Sequence, residues 1–137
     1  MSRLQTLEQK RAAGAWSCVQ YVNEDVNDPK FKKGYRSTVL KLPALILTNG
    51  LGQTLAFLKS KGKGDVNNPE EKVYQDLQGW LTSTDVINWG GATAGELIER
   101  IMKIDSNKYR IVTLQTFSFL NWLKRFADAV LPKDGGE

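Results

Sequence analysis

The chain has no histidine and a single cysteine, Cys18, among 137 residues. Without histidine, no side chain titrates near neutral pH at its ordinary pKa. That removes His-based acid–base catalysis, Ser-His and Cys-His nucleophile pairs and most transition-metal sites, and leaves carboxylate and lysine chemistry open. One cysteine cannot close an internal disulfide, so a reducing compartment fits. There is no apolar run of roughly eighteen or more residues to span a bilayer, and the polar N-terminus lacks the apolar region of a signal peptide. The expected location is therefore cytoplasmic, with no cofactor and no metal. One further gap concerns charge of a single sign: between Asp28 and Asp65 there is neither Asp nor Glu.

That gap is filled with cations. Lys30, Lys32, Lys33, Arg36, Lys41, Lys59, Lys61 and Lys63 all fall inside it, eight of the nineteen Lys and Arg, while all fifteen Asp and Glu lie outside. The middle of the stretch is apolar, Leu40-Lys-Leu-Pro-Ala-Leu-Ile-Leu47 and then Leu51 to Leu58. Basic flanks around an apolar centre suit a piece that packs into a core while showing positive charge outward. Such a field attracts phosphate or an acidic partner. A solvated lysine-rich surface that keeps the protein soluble accounts for the same pattern.

The rest of the chain is helical in pattern. Residues 2–22 place Leu4, Leu7, Ala15, Cys18 and Val22 on one face, with Arg11 inside that stripe. An arginine there snorkels, pairs with a carboxylate or faces a partner. Trp16, off the stripe, marks a contact surface or a second core face. Asn27-Asp28-Pro29 is a turn. A second helix follows from Phe31 or Gly34 toward Leu40. Pro43 lacks an N–H and clashes with the preceding turn, so a kink or break is expected there, with a new segment from Ala44 to Leu47. Asn49-Gly50 is a C-cap signal. Leu51–Ser60 is the next helix, and Lys61-Gly-Lys-Gly64 an exposed basic linker. Asn68 caps a helix that opens on Pro69, runs to about Ser83 and buries Val73, Leu77, Trp80 and Leu81; Glu70 and Glu71 favour its positive end. Thr93-Ala-Gly-Glu96 matches a capping box for a short helix through Met102. Asp105-Ser106 opens the longest helix, to about Val130, with a broad stripe including Val112, Thr116, Phe119, Leu120, Leu123 and Ala127. The expected fold is all-α: a single-domain bundle of about five to seven helices over residues 1–131, with a long C-terminal helix, a break at Pro43 and a flexible tail at 132–137.

Three groups of residues, in order, resemble the small subunit of the Cmr complex, the type III-B CRISPR RNA-guided effector. They are Leu42-Pro-Ala-Leu-Ile-Leu-Thr-Asn-Gly-Leu-Gly-Gln-Thr-Leu-Ala-Phe-Leu58, then Tyr74 with Trp80-Leu81, then Tyr109-Arg110 with Trp122-Leu-Lys-Arg-Phe-Ala127. Lys10-Arg-Ala-Ala13 fits the same family's first helix. The resemblance implies a small, all-helical, non-catalytic protein in antiviral defence. It implies stacking beside the backbone subunits, contact with the large polymerase-like subunit and with neighbouring copies of itself, and help in lining the channel that receives target RNA. Cleavage and cyclic-nucleotide synthesis belong to other subunits. Such effectors hold the guide–target heteroduplex by backbone and shape. The eight cations from Lys30 to Lys63 are therefore candidate RNA contacts. Arg110, Lys124 and Arg125, inside the family motif, form a second group, with a structural salt bridge an equal alternative for Arg110 and Arg125.

Other functions stay open. In a protein-only scaffold or adaptor, the basic face would meet an acidic partner subunit. A helical enzyme would need a perturbed, pocketed Glu or Lys. A DNA-binding protein would need a recognition helix, for which Leu51–Ser60 offers Gln53 and Thr54 as exposed residues.

Overall fold

The computed structural model describes residues 6–83 and 86–133. Among the described residues there are six helices: α1 Leu7–Asp25, α2 Pro29–Asn49, α3 Leu51–Gly62, α4 Pro69–Ser83, α5 Leu97–Ile101 and α6 Ser106–Val130. The long last helix is the pillar. α1 and α2 lie along α6, α4 closes against α2 and α3, and α5 caps the α3–α4 end.

Several helix ends follow from local sequence alone. Thr6 starts α1 with a reciprocal cap, its Oγ1 accepting from Gln9 N while Gln9 Oε1 accepts from Thr6 N. Asn68 Oδ1 accepts from Glu70 N at 3.0 Å, with Pro69 in the first position. Asp105 Oδ1 accepts from Lys108 N at 2.8 Å. Each cap satisfies a backbone donor that has no partner within its helix. The expected start of α1 at residue 2 and most of the expected tail fall at 1–5 and 134–137, outside the described residues. Leu7, expected on the buried stripe, is 41% exposed, whereas Ala15, Val19 and Val22 are fully buried.

The expected break at Pro43 is not there. α2 runs through it from Pro29 to Asn49. A proline removes one helical hydrogen bond and crowds one carbonyl. Against that, Tyr35, Val39 and Leu42 before or beside Pro43 are fully buried, and Ile46 beyond it nearly so. Each such burial contributes about 1.5–3 kcal/mol, so packing on both sides carries the helix through. α3 also outlasts its expected end at Ser60. It continues to Gly62, where a Cβ would lie 2.8 Å from the Glu71 backbone, so the glycine lets α3 and α4 approach closely.

The short helix α5 starts three residues later than the Thr93 capping box implied. Glu96 is its N-cap, and Glu96 N donates to Glu99 Oε1. The reason is tertiary. Gln78 Oε1 and Tyr74 Oη of α4 accept from Leu97 N and Ile98 N at 2.8 and 3.2 Å. Those α4 side chains do what a local cap would do, and Met102, expected inside the helix, lies beyond it and is 73% exposed.

The core is a single apolar seam. Val112, Phe119, Leu120, Leu123 and Ala127 of α6 are fully buried, and Trp80 of α4 stacks on Phe119 with ring centroids 5.4 Å apart. Arg11 sits in this environment, 8% exposed, and pairs with Glu8 at 2.6 Å and with Gln115 Oε1 at 2.9 Å. It is a structural ion pair. Trp16 is 41% exposed and packs edge-on against Phe126 with ring centroids 5.0 Å apart.

Candidate nucleic-acid interface

The α2–α3 hairpin positions the basic stretch. Gly50, at φ +89°, is the last cap of α2 and the first of α3, a backbone angle that L side chains rarely adopt. Tyr109 Oη of α6 accepts from Gly52 N at 2.7 Å, which pins the start of α3 to the pillar. The two helices then run back along each other. Lys30, Lys33 and Lys41 follow helical spacing down one line of α2, away from the buried line of Phe31, Tyr35, Val39, Leu42 and Ile46. On α3, Lys61 lies near Lys41 across the hairpin, because both ammonium groups sit over the same ring. Lys41 Nζ is 5.4 Å and Lys61 Nζ 6.0 Å from the centroid of Phe57. Lys63 follows at the cap of α3, in the left-handed conformation with φ 54°.

Lys30, Lys32, Lys33, Lys41, Lys61 and Lys63 form no ion pair among the described residues. Lys32 departs from the line of the others, lying on the opposite edge of α2. An exposed cation–π contact contributes about 0.5–1 kcal/mol, so Lys41 and Lys61 are held loosely over Phe57. Their charge faces solvent.

The other two cations of the stretch are committed to the protein. Arg36, with a side chain only 12% exposed, pairs with Asp128 near the end of α6. Lys59 pairs with Glu96 Oε1 at 2.9 Å and stands 4.8 Å from the Tyr74 ring. That seam is a network. Tyr74 Oη also donates to Glu96 Oε1 at 2.6 Å. The hydrogen bonds from Tyr74 and then Lys59 lower the Glu96 carboxyl below its ordinary pKa, and the bond to Glu96 raises Lys59. Burial, and then the bond to Glu96, pushes the Tyr74 phenol up.

The second candidate group lies on α6. Arg110 and Arg125 are exposed and Lys124 half-buried. None of the three forms an ion pair among the described residues, so the salt-bridge alternative for Arg110 and Arg125 is not realised there. Arg125 borders a shallow depression with Glu8, Asn121 and Trp122, whose Nε1 donates to Glu8 Oε2 at 2.9 Å. The group is not part of the Phe57 cluster.

Sequence reasoning passed over Phe57. The available signal was the four-residue spacing from Phe57 to Lys61, which stacks one above the other on a helix. Other chemistry fares poorly. Thr54, offered as an exposed recognition residue, is buried, its Oγ1 donating to Gly50 O. Glu71 is buried too and accepts from Gly64 N and Gln75 Nε2, which makes it a structural acceptor. Tyr35, Asp76, Lys72 and Cys18 cluster between α1, α2 and α4. Tyr35 Oη donates to Asp76 Oδ2 at 2.5 Å, and Lys72 pairs with Asp76 Oδ1. Burial first, then Asp76, pushes the Cys18 thiol up to about 12 and the Tyr35 phenol well above its ordinary value. Among the described residues no group of His, Cys, Asp and Glu is arranged to hold a metal ion, and no helix is long and apolar enough to cross a membrane.

The profile of a family described as CRISPR-associated protein (Cas_Cmr5) matches residues 7–130. The CRISPR system Cmr subunit Cmr5 of Thermotoga maritima is 30% identical over 138 aligned positions, covering 98% of this chain and 90% of that protein. The Cmr subunit Cmr5 of Thermus thermophilus is 32% identical over 97 residues, 71% of this chain and 75% of that protein. The X-ray structure of a CRISPR-associated Cmr5 family protein, also from Thermus thermophilus, superposes with a TM-score of 0.72 at 26% identity, covering 93% of this chain and all of that one. Profile, curated relatives and fold agree along nearly the whole chain: it belongs to the CRISPR-associated Cmr5 family, the small-subunit family of the Cmr complex.

Proposed function

We propose that the chain is a non-catalytic small subunit of the RNA-guided Cmr effector, standing beside the backbone subunits and turning the outer face of the α2–α3 hairpin toward RNA. The observation that carries this is the set of lysines on that face, Lys30, Lys33, Lys41 and Lys61, without carboxylate partners among the described residues. A channel that receives target RNA without reading its sequence needs cations that meet phosphates and leave base edges alone. The perturbed groups support a role outside catalysis. Glu96 is shifted down and Lys59 up, each further into its charged form, and Cys18 and Tyr35 are shifted away from neutral pH by burial.

Arg36 and Lys59 drop from the set of RNA contacts, being engaged at inter-helix seams. Contacts with the backbone subunit, the large polymerase-like subunit and neighbouring copies fall to other surfaces. Leu47 on α2 and Leu114 on α6, 78% and 57% exposed, suit a protein contact. The test is a salt titration of RNA binding by the complex reconstituted with Lys30, Lys33, Lys41 and Lys61 changed to Gln. Each lost phosphate contact lowers the log–log salt slope by about 0.7–0.9. Unchanged affinity and slope, with normal assembly, would remove this face from the RNA channel. Lost assembly instead would make it an interface with an acidic partner subunit.

A further inference from the structure

We infer that Phe57 and the two lysines over it form a stacking site for an unpaired base, so that this face prefers single-stranded RNA to duplex. The inference rests on the RNA-facing reading of the hairpin and names the form of RNA it takes. Two geometric facts carry it. The Phe57 side chain is half-buried, packed against the core. The ammonium groups of two exposed residues, Lys41 and Lys61, lie over its ring at 5.4 and 6.0 Å. An ammonium over a ring centroid requires that ring face to be turned toward it. A face of Phe57 is thus turned toward two exposed lysines, whose long side chains are held to it only by weak cation–π contacts.

That arrangement is open to exchange. A nucleobase offers a π-face of the right size for the ring, and the displaced ammonium groups can then meet the phosphates on its two sides. Both lysines keep their attraction for the strand, since neither has a carboxylate partner among the described residues. Aromatic platforms flanked by cations take single strands in a sequence-tolerant way, because every base has a π-face. In a duplex both faces of each interior base are already covered by their neighbours in the stack. A duplex can therefore use the lysines and not the ring.

Lys59, two residues before Lys61, also stands over a ring, that of Tyr74, but it pairs with Glu96. It lacks the free charge such a site requires. The inference accordingly assigns Lys41 and Lys61, and excludes Lys59.

The experiment uses the full-length chain, alone and with its backbone subunit. The probes are a short oligoribonucleotide carrying 2-aminopurine and the same sequence as a blunt duplex. The expected result is quenching of the 2-aminopurine on binding. Phe57→Leu, which keeps an apolar side chain on the helix, is expected to weaken single-strand binding about tenfold, leave duplex binding and the salt slope unchanged, and abolish the quenching. Phe57→Trp, which keeps a ring, is expected to retain single-strand binding, separating loss of the platform from damage to the fold. Equal single-strand affinity for wild type and Phe57→Leu would overturn the stacking site, as would equal losses on both probes. If Lys41→Gln and Lys61→Gln lower the salt slope while Phe57→Leu changes nothing, stacking falls and the RNA-facing reading stands. If neither class of variant changes RNA binding, both fall.

Discussion

Lys59 and Lys61 stand two residues apart on α3 and meet opposite fates. Lys59 points into the seam between α3, α4 and α5, where Glu96 and the Tyr74 ring hold it. Lys61 points outward over Phe57 and pairs with no carboxylate among the described residues. The same division runs through the molecule. Arg11, Arg36 and Lys72 are joined to carboxylates at inter-helix seams, while Lys30, Lys33 and Lys41 line an open face. A positive stretch in sequence is thus two populations in space, one building the fold and one available to a ligand.

The comparison is broken most severely on its inner side. Asp76→Ala leaves the buried Tyr35 hydroxyl and the Lys72 ammonium without their acceptor. The expected loss is about 2–4 kcal/mol of stability, read by urea denaturation of the isolated chain. A variant as stable as wild type would mean that this cluster does not hold α1, α2 and α4 together. Glu96→Gln removes the charge shared by Tyr74 and Lys59, and its expected cost is smaller, about 1 kcal/mol, because Glu96 is partly exposed.

The same carboxyl gives a pH dependence of definite sign. Its pKa in the folded chain is below the ordinary 4.5, so its contribution is present above that value and is lost as pH falls through the lower folded pKa. Lys59, raised above 10.5, contributes below that value and loses its contribution as pH rises through the higher folded pKa. Glu96→Gln should therefore flatten the acid limb of the stability profile, and an acid limb identical to wild type would refute the assignment. Lys59→Gln is expected to cost about 0.5 kcal/mol and to leave the salt slope of RNA binding where it was. Lys41→Gln with Lys61→Gln gives up two exposed cation–π contacts and no ion pair, an expected cost of about 1 kcal/mol at most. The same pair should show a large change in the salt slope. A stability loss in this pair above that of Glu96→Gln would reverse the division between the two populations.

How much of this could be seen in the sequence depends on the range of the forces involved. Caps at Asn68 and Asp105 use partners two or three residues away, and the sequence contains both halves of each. The stripe of α6 is likewise local, since helical period alone aligns Val112, Thr116, Phe119 and Leu123. The expectations that missed are those decided by distant partners. Pro43 breaks a helix in isolation but not one buried on both sides of it. Thr93 matches a capping box, yet Tyr74 and Gln78 satisfy the donors from another helix. Arg36 is indistinguishable from its lysine neighbours until α6 brings Asp128 to it. The overall charge was legible; its allocation was not.

The single cysteine has a practical consequence. With its thiol pushed up to about 12 by burial and by Asp76, Cys18 stays in the thiol form at pH 8. Maleimides and other alkylating reagents act on the thiolate, so the native chain is close to silent toward them. A cysteine introduced at an exposed position such as Lys61 would then be the one reactive thiol, with no need to remove Cys18. A fluorophore or a crosslinker can be placed on the open face of the native sequence one residue at a time, and its neighbours in an assembled particle mapped directly.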